Sequence, residues 1–302
     1  MIEKSLIEDA DISRIICPVF IQEEGNMFVH TASNKNASVF FFKLEERVYA
    51  CTCGHVIKKD KDTNDLESIY LRSENKTQVL GYVSCDTFPP ISNRGFHFAH
   101  TSYGSDIDLA FLYIKDCSML DFIKSEYIIL DFDTPEHNIT EFSEFYALGW
   151  GNDHKEETID TVRTPQICCT FSPSTLKLSD IGLSFHTEFD SNHNFSLSGM
   201  SGGLIMGRIG DSDKLAPVGI IYEGSPTEEG KKDINSLFNQ PNMLHLYCYR
   251  FSSNFLKECL KGYDLSVIDK ESYYPCLSHN LIDRWDKNQL IAVSPILSNI
   301  KQ

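Results

Sequence analysis

Short runs of apolar and β-branched residues, separated by turn residues, recur along most of the chain. Runs of this length bounded by Gly, Pro, Asn and Asp are typical of β-strands. We predict about a dozen strands, in the segments 15–22, 26–31, 37–44, 47–53, 68–72, 77–83, 95–100, 109–114, 145–151, 164–171, 182–187, 217–222 and 243–251. One clear helix follows, over 254–261, with serine caps before it and Gly262 after it. This pattern predicts an all-β barrel or sandwich.

The strand pattern stops short of both ends of the chain. Residues 1–14 form an acidic lead, and 263–302 form a tail with its own apolar content. We expect this tail to pack back onto the domain or to bind a partner. Within the domain, the runs 37–44 and 47–53 are separated by two glutamates and predict a β-hairpin.

Composition narrows the class of protein. The 302 residues are 41% hydrophobic, which is typical of a globular chain, and the net charge of −16 argues against nucleic-acid binding as the main role. The N-terminus lacks a secretory signal, and no apolar run approaches the ~20 residues of a membrane span. We therefore expect a cytoplasmic protein with no membrane association and ten reduced cysteines. No Cys-x-x-Cys pair occurs, which argues against a zinc ribbon or a thioredoxin-type site. We expect neither a metal nor a cofactor.

The stretch from Phe195 to Gly207 carries the first candidate chemistry. Ser201 stands among Gly199, Gly202 and Gly203. Glycines permit turns with positive φ and let backbone N–H groups point inward, as a serine nucleophile requires. A plain Gly/Ser turn between two strands has the same composition. The stretch alone leaves both interpretations open, and a nucleophile would also need a base and an acid.

Two further blocks supply candidates for the base and the acid. His55 directly follows a β-rich run and is preceded by a glycine. Asp108 enters an apolar strand, where a carboxylate tends to become buried and then needs a partner such as an imidazole N–H. Asp106 is the alternative acid. Either aspartate also fits an ordinary turn at the start of a strand.

Together these blocks resemble the chymotrypsin/trypsin-like serine peptidase family. They occur in the family's order, as Ala50-Cys-Thr-Cys-Gly-His55, Asp108-Leu-Ala-Phe-Leu112 and Gly199-Met-Ser-Gly-Gly203. Leu148-Gly-Trp-Gly151 and Val218-Gly-Ile-Ile-Tyr-Glu-Gly224 resemble two further family strands. The resemblance spans 15–262. It implies two six-stranded antiparallel barrels, roughly 15–125 and 126–262, with a C-terminal helix and an extension over 263–302.

The resemblance also implies a role for each site residue. Ser201 would be the nucleophile, His55 the base and Asp108 the acid of the triad. The N–H groups of Gly199 and Ser201 would form the oxyanion hole. The substrate pocket would involve these residues: Phe195, Ser196, Tyr222, Glu223 and Gly224. The aspartate that trypsin-type members carry at the pocket base is absent, so we expect small or apolar side chains before the cleaved bond.

Two alternative functions use the same residues. Gly-x-Ser-x-Gly is also the nucleophile turn of α/β-hydrolases, with a later acid and base such as Asp264 and His279, but a helix would then follow the serine. A peptidase fold with a dead site, acting as a binding module, is the second alternative. The family's Ile-Val-Gly-Gly activation block is absent. Because unregulated proteolysis in the cytosol is toxic, we expect an intracellular bacterial peptidase that is controlled by a protein partner and directed at a specific protein in stress or antiviral defence.

Overall fold

A computed structural model describes the chain over residues 7–22, 36–57, 68–71, 82–83, 97–99, 107–115, 117–131, 138–151, 156–157, 162–173, 181–188, 197–225, 243–263 and 291–293. These residues are mostly strands: β1 (Ile7–Glu8), β2 (Ile16–Gln22), β3 (Asn36–Leu44), β4 (Arg47–Thr52), β5 (Ser68–Leu71), β6 (Tyr82–Val83), β7 (His97–Phe98), β8 (Ala110–Tyr113), β9 (Ile129–Asp131), β10 (Phe142–Trp150), β11 (Glu156–Glu157), β12 (Val162–Pro173), β13 (Gly182–Glu188), β14 (Leu204–Ile209), β15 (Lys214–Ser225), β16 (Met243–Arg250) and β17 (Ile291–Val293). The helices are few: α1 (Gly54–Ile57), α2 (Cys117–Glu126) and α3 (Ser253–Cys259), with 3-10 turns at Asp9–Arg14 and Ile139–Glu141.

Six antiparallel strands close a barrel in the order β10, β12, β13, β16, β15, β14 and back to β10. Strand β16 shows the pattern expected of a barrel strand, because successive side chains point to opposite faces. Leu244, Leu246 and Cys248 are buried, whereas His245 and Tyr247 between them are partly exposed. The barrel strands therefore bury alternate residues in a common core.

The second sheet has the strand order β5, β2, β3, β4, β8 and β7, with β9 parallel to β3. Its outer strands β5 and β7 are not paired with each other in the described segments, which therefore contain one closed barrel rather than the two predicted from sequence. The all-β prediction is confirmed at the level of one barrel and one sheet. The predicted hairpin is β3–β4, turning through Glu45 (φ 50°) and Glu46 (φ 64°). Positive φ at both turn positions is typical of a two-residue hairpin turn.

The two sheets share a hydrophobic core. Trp150 at the end of β10 is fully buried, and its indole Nε1 donates to the Ile16 carbonyl of β2 at 3.0 Å. Phe40 and Phe42 of β3 belong to the same buried cluster as Trp150 and Leu204 of the barrel. This packing places the end of β4, the start of β8 and the loop before β14 next to one another.

The C-terminal helix predicted from sequence is confirmed as α3. The Ser252 hydroxyl caps it by accepting from Phe255 N at 3.1 Å, and Gly262 after it has a φ of +82°. The His97 ring stacks on Tyr263 at 4.7 Å between centroids, so the segment following the helix packs on the second sheet. At the chain's end, β17 pairs in parallel with β12.

Some sequence predictions cannot be compared with the structure. The strand predicted over 26–31 lies outside the described residues, as does most of 77–83 and of the tail. Among the helices described, none is long and apolar enough to cross a membrane. None of the eight cysteines in this part of the chain is paired in a disulfide.

Candidate active site

His55 lies on α1, the single helical turn that follows β4. Its main-chain nitrogen donates to Asp108 Oδ1 at 2.8 Å, and the neighbouring Gly54 N donates to the Asp108 carbonyl at 3.2 Å. The turn that carries the imidazole is therefore held by the residue that faces the ring. Sequence analysis predicted the proximity of these two residues, but not the backbone bonds that fix it.

Asp108 comes two residues before β8, at the edge of the second sheet. Its Oδ2 contacts His55 Nδ1. Its main-chain N–H donates to the Tyr249 hydroxyl at 3.0 Å. Leu109, the next residue, is fully buried in the core, which anchors the aspartate at the start of the strand. The alternative acid, Asp106, lies outside the described residues.

Ser201 completes a line of three polar side chains. Its Oγ lies 3.1 Å from His55 Nε2. An ionised carboxylate can only accept a hydrogen bond, so Asp108 favours the tautomer with the proton on Nδ1. The lone pair of Nε2 then faces the serine hydroxyl, which donates to it. The His55 side chain is 51% exposed, so an outside substrate can reach this line.

The loop before Ser201 contains a tight turn and two candidate backbone donors. Met200 N donates to the Leu197 carbonyl at 3.1 Å, and Gly199 between them has a φ of +91°. A turn closed in this way with positive φ at its third residue has the type II form. As far as the chain is described, the N–H groups of Gly199 and Ser201 donate to no backbone carbonyl. Unbonded N–H groups of this kind are what an oxyanion beside a serine nucleophile requires.

Gly202 and Gly203 let the loop approach its neighbours closely. A Cβ on Gly202 would lie 2.1 Å from the Ser38 carbonyl oxygen, and one on Gly203 would lie 2.2 Å from that of Leu148. Gly202 N also donates to the Ile221 carbonyl at 2.9 Å, and Ile221 N donates to the Gly203 carbonyl at the same distance. The glycines are therefore required by sterics, as well as by the turn.

The predicted substrate wall lies at the end of β15. The Tyr222 ring is half-buried and stacks on Tyr249 at 4.3 Å, and burial raises the pKa of Tyr222 to about 12. Glu223 is exposed. A Cβ on Gly224 would lie 3.3 Å from the Leu197 side chain, so this strand packs against the turn before Ser201. Phe195 and Ser196, also predicted for the pocket, lie outside the described residues.

Three residues of the site were not found from sequence. Ser38 and Tyr249 bond directly to the loops that carry Gly199 and Asp108. The buried Cys53 donates its thiol to the Ile221 carbonyl at 3.2 Å. Ser38 gave a weak signal, as a polar residue between the apolar residues Ala37 and Val39. Tyr249 and Cys53 gave none, because tyrosine and cysteine are ordinary strand residues.

One group of three side chains in the described segments is close enough together to be considered as a metal site. Candidate ligand atoms of Cys53, His55 and Asp108 all lie within 4.8 Å of one another. Burial, and then the charge of Asp108, raise the pKa of the Cys53 thiol well above its usual range, which disfavours the thiolate that binds metals. His55 Nδ1 already faces Asp108. A metal here would have to displace these contacts.

Comparisons with known proteins give weak similarities only. No family model matches the chain, and no curated protein matches it. The thermostable serine protease AL20 from an extremophilic microorganism is similar in structure, with 13% identity and a TM-score of 0.43, over 83% of this chain and 96% of that one. A structure from work on coupled folding and binding of the disordered Sesbania mosaic virus VPg protein has 12% identity and a TM-score of 0.39, over 82% and 90%. Similarity at this level identifies neither a family nor an activity.

Proposed function

We propose that this protein is a serine endopeptidase that uses Ser201, His55 and Asp108 as its catalytic triad. One observation carries the proposal. Asp108 Oδ2 faces His55 Nδ1, and His55 Nε2 lies 3.1 Å from Ser201 Oγ, with the open N–H groups of Gly199 and Ser201 alongside. This arrangement supports the roles proposed for the nucleophile, the base, the orienting acid and the oxyanion donors.

The reaction follows from these positions. Ser201 Oγ attacks the carbonyl carbon of the peptide bond while its proton moves to His55 Nε2. Negative charge develops on the carbonyl oxygen, where the Gly199 and Ser201 N–H groups stabilise it. His55 then gives the proton to the leaving amine, and an acyl-enzyme remains on Ser201. Water, deprotonated by His55, hydrolyses this ester and restores the serine. Asp108 keeps its charge and stabilises the His55 imidazolium both when the acyl-enzyme forms and when it is hydrolysed.

The finer architecture and specificity belong to the same proposal. We infer that 15–262 form one peptidase unit of two barrels, with 1–14 as a lead and 263–302 as an extension. Tyr222, Glu223 and Gly224 would bind the substrate backbone beside Ser201. A Cβ on Gly224 would lie only 3.3 Å from the Leu197 side chain. This close packing supports a shallow pocket for a small or apolar side chain.

Peptide cleavage by matched serine variants tests the proposal. The purified chain is incubated with a mixed peptide library, and new termini are identified by mass spectrometry. Ser201→Ala should lower turnover on the order of 10⁶-fold. Ser143→Ala, an exposed serine on β10, should cleave like the unaltered protein. Equal cleavage by Ser201→Ala and the unaltered chain would contradict the proposal, and the absence of cleavage in both would favour a dead-site binding module.

A further inference from the structure

Ser38 on β3 is a fully buried serine that bonds to both sides of the Ser201 loop. Its hydroxyl donates to the Gly199 carbonyl at 3.1 Å, and its main-chain N–H donates to the Ser201 carbonyl at 3.0 Å. The same hydroxyl accepts from Trp150 N at 2.9 Å. The Ser38 carbonyl accepts from Thr52 Oγ1 at 2.8 Å. One residue of the second sheet therefore holds the loop of the barrel at two points that bracket the nucleophile.

We propose that Ser38 is a positioning residue that holds the oxyanion donors of this site in place, an inference that rests on the proposed peptidase function. Ser38 touches no reacting atom. It acts through Gly199, the residue whose N–H would face the oxyanion.

Gly199 is where such support is needed. Glycine occupies positive and negative φ about equally well, so its own backbone does not select the φ of +91° found here. Two bonds select it: Met200 N to the Leu197 carbonyl, and the Ser38 hydroxyl to the Gly199 carbonyl. Losing the second leaves the Gly199–Met200 peptide held by the Met200 N–H alone, so the φ of Gly199, and with it the direction of the Gly199 N–H, is less well fixed. An N–H that leaves its position no longer stabilises developing charge, and such preorganisation is a large part of catalysis.

The surroundings make the Ser38 hydroxyl hard to replace. Ala37 and Val39 on either side are buried in the apolar core. A Cβ on Gly149 would lie 3.0 Å from Ser38 Oγ and 3.1 Å from Met200 Cα, so the strand of Trp150, the serine and the loop pack without spare room. Alanine at 38 would leave the Trp150 N–H and the Gly199 carbonyl without this partner.

The labelling rate of Ser201 by an alkyl fluorophosphonate measures the effect. Ser201 Oγ attacks phosphorus, the P–F bond breaks, fluoride leaves, and the Oγ proton goes to His55 Nε2. The phosphonyl oxygen then takes the position that the Gly199 and Ser201 N–H groups face. Ser38→Ala should label about tenfold more slowly, the factor expected for one buried hydrogen bond. Ser38→Cys, which keeps the volume but donates weakly, serves if the alanine variant fails to fold.

Ser252→Ala is the matched control. Ser252 is also buried and also accepts from a backbone N–H, that of Phe255, but it caps α3 and does not touch the Ser201 loop. It should lose comparable thermal stability and label at the unaltered rate. An equal slowing of both variants would mean that Ser38 acts only through stability, and would overturn the inference.

A crystal structure of the Ser38→Ala variant tests whether Ser38 holds Gly199 in place, and it needs no activity measurement. We expect Gly199 to leave its left-handed φ or its carbonyl to rotate. An unchanged Gly199, or an unaltered labelling rate in a folded variant, would overturn the role of Ser38. If the unaltered protein is not labelled at all, the peptidase proposal fails, and the conformation of Gly199 in the variant still tests the support given by Ser38.

Discussion

The hydroxyl of Tyr249 lies 3.0 Å from the main-chain nitrogen of Asp108, although the two residues are 141 positions apart. Tyr249 belongs to the last barrel strand, whereas Asp108 precedes a strand of the other sheet. The barrel therefore supports the candidate acid directly. The geometry of His55, which Asp108 holds through Oδ1 and Oδ2, depends on how the two sheets meet.

Tyr249→Phe should weaken both the fold and the site. The change removes the acceptor of the Asp108 N–H, so we expect the free energy of unfolding to fall by about 1–2 kcal/mol. Peptide turnover should fall severalfold, because Asp108 is less well fixed. Tyr247→Phe on the same strand is the control, since that ring is more exposed and should affect neither quantity strongly. Denaturant titration and steady-state kinetics check this, and equal behaviour of the two variants would contradict it.

Gly202→Ala should lower the free energy of unfolding far more than Gly262→Ala, although the two glycines have nearly the same φ, +83° and +82°. Alanine at such a φ costs about 1–2 kcal/mol by itself. A Cβ on Gly202 also meets the Ser38 carbonyl at 2.1 Å, whereas one on Gly262 meets nothing within 4 Å. Overpacking should add about 1–3 kcal/mol at 202. Urea unfolding of both variants measures the difference, and equal losses would mean that the loop is looser than described.

His245 should make stability depend on pH in mildly acidic solution. Burial, and then the facing His186 at 6.3 Å between ring centroids, lower the pKa of His245 below 6.5. The unfolded chain thus binds a proton more readily than the folded chain, so stability falls as pH drops below about 6.5. His245→Gln should flatten the dependence of the unfolding free energy between pH 5 and 7. An unchanged slope in that variant would show that His245 contributes nothing to it.

The sequence was most informative where a polar residue stands in a distinctive local pattern. The blocks around His55, Asp108 and Ser201 were recognisable by the glycines and apolar residues that flank them, and the structure brings their side chains together. Strand positions also followed from local patterns, as in β3, β4 and β16. An α/β-hydrolase would have a helix after the serine. The element that follows Ser201 is the strand β14, which argues against that alternative.

What could not be predicted depends on contacts between distant residues. Ser38 and Gly199 are 161 positions apart, and nothing in either segment marks them as partners. The pairing of Tyr249 with Asp108 is of the same kind. Barrel closure also depends on how strands meet in space, which is why two barrels were expected from the resemblance and one is closed in the described chain. The catalytic roles assigned to His55, Asp108 and Ser201 remain predictions.

Covalent labelling of the unaltered protein tests the central claim most directly. An alkyl fluorophosphonate reacts much faster with a serine whose hydroxyl is activated by a base than with an ordinary serine. We predict one adduct per chain, located on Ser201 by tandem mass spectrometry, lost on heat denaturation and lost in His55→Ala. A folded protein that takes up no label, or that is labelled at another serine while Ser201 stays unmodified, would contradict the account.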